Sequence, residues 1–570
     1  MFVGTPKRRF VFVASFLIII AIINSFIFYP IFLSDTIIIK FAVHPFNICE
    51  KYPDGWHLIK VSYILSSIIS SLILSNIIYS FLFKKNPMQN NKESLDYLYN
   101  DNLNLKVGLT LNNEEIILPL NGLFQNILIT GTIGSGKTSS AMYPFTDQLI
   151  KFNNLNKNEK LGMLILDVKG NYHSQVKKYC EKYNRLNDLI TIELKSNVKY
   201  NPLDKPNLKP SILANRLKTI LTLFSPNNGE DFWLDKVEQV LTECIKLCRL
   251  YNKGYVTFSE IHKLISIPSY YSEKLSDLRQ NFISGNLSKE ECYNLLTSIE
   301  FFEKEFNNLD DRTLSILKSE ITRITGAFIS DIDVLRTFSP QKEEITFNGF
   351  TELLNKGKII VLNMNISEYR NLSKIIAAYL KLDFQTEIMM NLAKGTTKRT
   401  VAFISDEYHE YVTATDADFF AQSREAKCIN IVATQSYTSL LNTIKNKYTV
   451  NAITQNLVNK IWYRTDDMFT IEDAQKQIGK EEKVKTSKTI SENAKETNFN
   501  YLTKRFNSLD SNISESINSY TQFDFVYDTK YFTQSLECFH AITFLSTGTK
   551  IIPPQELQMI PYFKNYYKKE

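Results

Sequence analysis

The 570-residue chain predicts an α/β fold: a parallel sheet with helices on both faces, an all-α domain set into it, and two apolar spans ahead of it. Three observations carry this expectation. Short apolar runs rich in Ile and Val alternate with helical stretches on either side of a long strand-free middle. Two N-terminal runs, Phe10 to Leu33 and Val61 to Phe83, contain no charged residue. The apolar run Ile127-Leu128-Ile129 opens directly into the glycine-rich stretch Gly131-Thr132-Ile133-Gly134-Ser135-Gly136-Lys137-Thr138, with a helix-forming segment behind it.

Length points to several domains. The 66 basic residues exceed the 60 acidic ones by a formal charge of +6, which permits a polyanionic partner without demanding one. The seven cysteines (Cys49, Cys180, Cys244, Cys248, Cys292, Cys428, Cys538) include no C-x-x-C pair, so neither a disulfide framework nor a zinc site is expected. Cys244 and Cys248 share a helix face and read as core residues. The thiols are expected to be reduced and intracellular, apart from Cys49 in the loop between the spans.

Residues 1–85 read as a transmembrane hairpin, with spans at about 10–33 and 61–83. Each run is long enough to cross about 30 Å of hydrocarbon, and the first is too long for a signal-peptide core. Lys7, Arg8 and Arg9 precede the first span and Lys84 and Lys85 follow the second, while charges in the loop cancel. Both termini are therefore expected on the cytoplasmic side of the membrane. Ser67, Ser71 and Ser75 form a small-residue stripe suited to close helix packing.

A polar linker leads into residues 86–210, the first part of a nucleotide-binding domain. A β-hairpin is predicted from Leu105–Leu111 and Ile116–Leu118, then the strand before Gly131, then strands at Met163–Leu166 and Leu189–Ile192. Residues 211–339 show helical periodicity alone and read as an inserted all-α domain, with Trp233 as a core anchor. Strand patterns return in 340–480, at Gly357–Met364, Thr400–Glu407, Cys428–Gln435 and Val458–Tyr463. Residues 481–535 read as a polar, mobile insertion. Residues 536–570 supply a last strand, Ala541–Leu545, and a basic, aromatic tail.

Gly131 to Thr138 fits the pattern G-x-x-x-x-G-K-[ST] without deviation. Glycines let the backbone turn its N–H groups inward, and the following helix presents its positive end to the same cavity. Gly131, Thr132, Ile133, Gly134, Ser135, Gly136, Lys137, Thr138 and Ser139 are the expected cradle for ATP. Lys137 would reach the β- and γ-phosphates, and the Thr138 hydroxyl would hold Mg²⁺.

Such a loop needs a carboxylate at the end of a neighbouring buried strand. Asp167 ends one apolar run and Asp406-Glu407 ends another. The pair offers both functions, Asp406 as a magnesium ligand and Glu407 as the residue orienting water, and is preferred. Asp167, with Lys169, then shapes the rim or caps a turn. Gln435 ends the following strand, where its amide would meet the γ-phosphate and the lytic water, or be an ordinary strand-end residue. Arg424 is a solvated charge in isolation; in a ring it would stabilise the transition state in a neighbouring subunit's site.

In order along the chain stand two spans, Gly131–Thr138, Leu166-Asp167-Val168-Lys169-Gly170, Tyr200-Asn201-Pro202-Leu203, the Phe232-Trp233 helix, Ser405-Asp406-Glu407 and Val432-Ala433-Thr434-Gln435-Ser436. This set resembles the type IV secretion coupling proteins, the TraG/TraD-like conjugative DNA-transfer ATPases. The resemblance implies a RecA-like motor, a homohexamer, which spends ATP with Mg²⁺ on delivering single-stranded DNA with its attached relaxase, or protein substrates, to the channel proteins of a secretion system. It also puts Arg424 where the family carries a trans-acting arginine. Asn171 departs from the family, which often has Glu there. Two other readings stay open: an FtsK/HerA-like double-stranded DNA translocase, and a membrane docking module that binds nucleotide without hydrolysing it.

Overall fold

Ile127 and Ile129 face one hydrophobic core and Leu128 faces another, because successive side chains of a strand point to opposite sides. The same alternation recurs along the sheet: Met163 and Ile165 against Leu164 and Leu166, Ala402 and Ile404 against Val401 and Phe403. These strands are buried on both faces, which is why they read as continuous apolar runs.

The computed structural model describes residues 6–23, 61–62, 65–75, 103–167, 169–224, 231–285, 287–492, 497–502, 504–508 and 513–566. The chain divides into two units, Met1–Asp101 and Asn102–Glu570. In the first, α1 (Pro6–Ile23) is apolar beyond Arg9, and the Ser71 hydroxyl donates to the Ser67 carbonyl at 2.7 Å. Among the described residues no helix is long and apolar enough to cross a membrane. Residues 24–33, 63–64 and 76–83 of the expected spans, the loop between the spans up to residue 60, Lys84 and Lys85, the linker at 86–101 and the tail beyond residue 566 lie outside the described residues.

The second unit is built on an 11-stranded sheet in the order β2-β1-β15-β14-β9-β3-β8-β7-β4-β6-β5. Its strands are β1 (Asn104–Thr110), β2 (Glu115–Pro119), β3 (Ile127–Thr130), β4 (Gly162–Leu166), β5 (Leu189–Ile192), β6 (Ile359–Leu362), β7 (Val401–Ser405), β8 (Cys428–Thr434), β9 (Asn459–Trp462), β14 (His540–Ser546) and β15 (Ile551–Gln558). From β9 through to β5 every neighbouring pair is parallel. β14 joins antiparallel to β9, and β15, β1 and β2 continue antiparallel. The β1–β2 hairpin, expected ahead of β3 in the chain, forms one edge of the sheet. One core packs α2 (Tyr143–Lys151) and α3 (Tyr172–Lys182) through Phe145, Leu149, Val176 and Tyr179.

Between β5 and β6 every regular element among the described residues is helical, from Pro210–Phe224 to Thr351–Lys356. Their starts are set by side-chain caps, as at Thr257, Asp310 and Asp331, and by the reciprocal Ser288–Glu291 pair. Cys244, Cys248 and the edge of Trp233 lie in this packing. The Tyr200-Asn201 element ties it to the sheet's covering helix α4 (Asn371–Ala393). The Tyr200 hydroxyl and the Arg216 and Lys205 cations all meet buried Asp383, and the Asn201 amide donates to the Val256 carbonyl at 2.8 Å.

The stretch expected as a polar, mobile insertion is instead a long ribbon. β10 (Lys480–Glu492) pairs antiparallel with β13 (Ile513–Phe525) along its whole length, and β11 (Thr497–Asn500) pairs with β12 (Arg505–Ser508). A two-stranded ribbon standing off the core exposes both faces, so no inward-facing apolar alternation marks it; Thr486, Thr489 and Ile490 supply β-propensity without burial. The ribbon's roots, α5 (Met468–Ile478) and the turn Tyr531–Ser535, pack through Ile471, Ala474, Phe532 and Leu536 against Trp462.

Candidate functional site: a phosphate loop facing two carboxylates

Three strand ends hold the backbone of the Gly131–Thr138 loop. The Gly131 amide donates to the Gln435 carbonyl (3.1 Å), the Thr132 amide to the Arg464 carbonyl (2.8 Å), and the Phe539 amide to the Ser135 carbonyl (3.2 Å). Gly136 has φ +101°, and a Cβ there would stand 2.5 Å from the Phe539 ring, so both conformation and space require glycine. Among the described residues, the amides of Ile133, Gly134 and Gly136 have no acceptor. Free N–H groups at a helix start are the donor set that a phosphate needs.

Lys137 is buried, and its ammonium turns back on the loop to the carbonyls of Gly131 (2.5 Å) and Thr132 (3.1 Å). Burial pulls its pKa down, against the pull of Glu407 and Asp406. The Thr138 hydroxyl donates to Asp406 Oδ2 at 2.8 Å. Ser139 and Ser140 hydroxyls donate back to the Gly136 carbonyl.

Asp406 follows β7, and β8 lies between that strand and β3. The carboxylate therefore belongs to the next strand but one, not to an adjacent one. Its pKa is pushed up to about 6 by burial, with Asp167 adding to the effect. Glu407 sits in the left-handed region (φ +49°), which turns its side chain into the cleft. Lys169 forms an ion pair with Glu407 Oε1, and the Gln435 amide approaches Oε2 at 3.3 Å. His409 Nδ1 is 3.6 Å from the same Oε2. Burial alone would raise the Glu407 pKa, yet the Lys169 ammonium brings it below the usual carboxylate range.

Asp167 has a different occupation. Its carboxylate accepts from the backbone amides of Lys169 (2.9 Å), Asn171 (3.1 Å) and Tyr172 (3.1 Å), capping the turn into α3. Arg424 is exposed just before β8. Because β8 runs parallel to β3 and a strand rises about 3.3 Å per residue, this places Arg424 at the amino ends of the strands, opposite the loop and away from the site of its own chain. Lys137, Thr138, Asp406, Glu407 and Gln435 are brought together; Arg424 is not.

Four residues at the site were missed from the sequence, or left with another role: Lys169 as the partner of Glu407, His409 beside it, Arg464 under Thr132, and Phe539 against Gly136. Lys169 stands in the Leu166–Gly170 element and His409 two residues after Glu407, but neither position marks the contact it makes. Arg464 and Phe539 reach the loop from strand ends that no local pattern links to it.

Loop amides, an ammonium, and a hydroxyl paired to a carboxylate, all at the carboxyl ends of parallel strands, define a P-loop nucleoside-triphosphate site. The donors and the Thr138–Asp406 pair fit a triphosphate with Mg²⁺. Residues 315–507 match the family model of the type IV secretion-system coupling protein DNA-binding domain. The fold is that of the conjugative coupling protein TrwB. The unbound form of TrwBdeltaN70 is 12% identical, with 80% of this chain and 88% of that chain covered and a TM-score of 0.50. TrwB with the GTP analogue GDPNP, and TrwB with ADP and Mg²⁺, each give 12% identity, 80% and 89% coverage and a TM-score of 0.52. A curated relative, autophagy-related protein 11 of Vanderwaltozyma polyspora, is 24% identical over 332 residues, 51% of this chain. The chain spans only 25% of that relative's length, and the match bears on no residue role. The family match and the shared fold bear out the resemblance to type IV secretion coupling proteins.

Proposed function

We propose that this chain is a membrane-anchored, RecA-like ATPase that couples ATP hydrolysis to delivering single-stranded DNA with its relaxase, or protein substrates, to a type IV secretion channel. The observation that carries the reading is the Thr138–Asp406 hydrogen bond of 2.8 Å, which joins the two halves of a nucleotide site across the sheet. The family model's DNA-binding description supports a DNA substrate, and the TrwB structures with nucleotide and Mg²⁺ support the cofactors. The N-terminal apolar runs support a two-span anchor with both termini cytoplasmic.

Residues 131–139 cradle the phosphates, and Lys137 leaves its loop carbonyls for the β- and γ-phosphates. Thr138 and Asp406 hold Mg²⁺, which supplies charge neutralisation on the phosphates. Glu407 accepts a hydrogen bond from the attacking water, and Gln435 steadies both that carboxylate and the water. Arg424, distant from its own site, serves a neighbouring subunit in a hexameric ring.

The test is the ATPase rate of the full chain in detergent, with single-stranded DNA, double-stranded DNA or none, beside a mass measurement and a Lys137→Ala control. Stimulation by single strands, lost in the variant, supports the reading. Stimulation by duplex alone makes the protein a double-strand translocase. A background rate under every condition makes it a docking module.

A further inference from the structure

Lys169 reaches Glu407 from a fixed root. Its amide is held by Asp167 Oδ1 at 2.9 Å, and Gly170 behind it (φ +79°) packs against Asn365. The Lys169 side chain is 51% exposed while that of Glu407 is 7% exposed, so the ammonium lies at the mouth of the cleft with the carboxylate beneath it. The Glu407 backbone is equally fixed, its amide donating to Asp406 Oδ1 at 3.0 Å. Thus the long Lys169 stem is the mobile half of the pair.

Resting on the ATPase reading, we infer that Lys169 senses the γ-phosphate and gates Glu407. In the empty site its ammonium occupies Glu407 Oε1 and closes that atom to water. A nucleoside triphosphate brings a larger negative charge to the same mouth and draws the ammonium away, since attraction scales with charge. Lys169 then binds the terminal phosphate. Glu407 stays oriented through the Gln435 contact to Oε2, with Oε1 free to accept from the attacking water. A diphosphate does not reach far enough to compete, so ADP leaves the latch shut.

The readout is nucleotide discrimination by the full chain, measured by displacement of a fluorescent ADP analogue with ATPγS or ADP in Mg²⁺. For Lys169→Met the expected result is an affinity for ATPγS about tenfold weaker and for ADP within about twofold, with Lys169→Arg recovering part of the loss. For Glu407→Gln, which releases the lysine in advance, ATPγS binds severalfold tighter, and the double variant loses that gain. Equal weakening of both nucleotides, no change in either, or a gain that persists in the double variant overturns the proposal. The ATPase reading is judged separately: it fails if the unaltered chain shows only a background hydrolysis rate or binds neither nucleotide, or if Lys137→Ala binds both as well.

Discussion

Thr138 and Asp406, 268 positions apart in the chain, share a hydrogen bond of 2.8 Å. One residue begins the helix behind the phosphate loop; the other ends a strand two places along the sheet. Thr138→Val keeps the shape and removes the oxygen that would meet both the carboxylate and the metal. A hydrogen bond to a charged group contributes about 1.5–3 kcal/mol, so Mg²⁺-dependent ATP binding should weaken about tenfold or more, while Thr138→Ser retains it. Titrating Mg²⁺ into protein with fluorescent ATP measures this, and equal affinity in the valine variant refutes the pairing's role.

Glu407→Gln should bind ATP and fail to turn it over. The amide still fits beside Gln435 but is a far weaker acceptor for a water proton, and general-base contributions run to about 10²–10⁴-fold. Single-turnover hydrolysis is expected to drop by at least about 100-fold with triphosphate binding no weaker than in the parent. If turnover survives, the base is another carboxylate.

Asp406→Asn should make the nucleotide-free protein more stable. Burial beside Asp167 raises the Asp406 pKa to about 6, above the usual carboxylate range, so the folded chain holds this proton more tightly than the unfolded one. Stability from this group is present at low pH and is lost as pH rises from about 4 to about 6, then stays constant. At about 1.4 kcal/mol per pKa unit the gross penalty near neutrality is about 2–3 kcal/mol. The asparagine, however, offers one acceptor where Thr138 and the Glu407 amide now use two oxygens. A net gain of about 1 kcal/mol, or about 2 °C in Tm, should appear above pH 6 and vanish below pH 4. A variant less stable than the parent at pH 8 contradicts the assigned burial.

The central sheet was legible because β3, β4, β6, β7 and β8 are short runs buried on both faces, and burial writes itself into composition. β15 was not: Pro553 and Pro554 interrupt it, tolerated where the register shifts opposite Phe544. The ribbon was hidden for the opposite reason, since neither of its faces meets the core. Within the site, Lys137, Thr138 and Asp406 are marked by local patterns that a phosphate and a metal impose. Nothing local marks Lys169 as the partner of Glu407, 238 positions away, or Phe539 as the wall behind Gly136, because those contacts follow from strand order alone.

Lys381→Met tests how Glu407 is held from behind. Lys381 and Asp416 are both fully buried, 2.6 Å apart. The lysine also donates to the Tyr411 carbonyl (2.8 Å) and Thr413 Oγ1 (2.9 Å). Asp416 further accepts from Gln385 (3.0 Å), the Thr413 amide (3.0 Å) and the Tyr408 hydroxyl. Tyr408 directly follows Glu407, and the Tyr411 hydroxyl donates to the Asp406 carbonyl at 2.9 Å, so this network fixes the segment that carries both carboxylates. Removing the cation strands a buried charge, which costs about 3–5 kcal/mol. Lys381→Met should therefore unfold at markedly lower urea, and ATPase activity should fall through displacement of Glu407 even where the chain remains folded. Adding Asp416→Asn removes the stranded charge and should recover part of the stability. A single variant as stable as the parent, or a double variant worse than the single, would show that the pair does not set the position of Glu407.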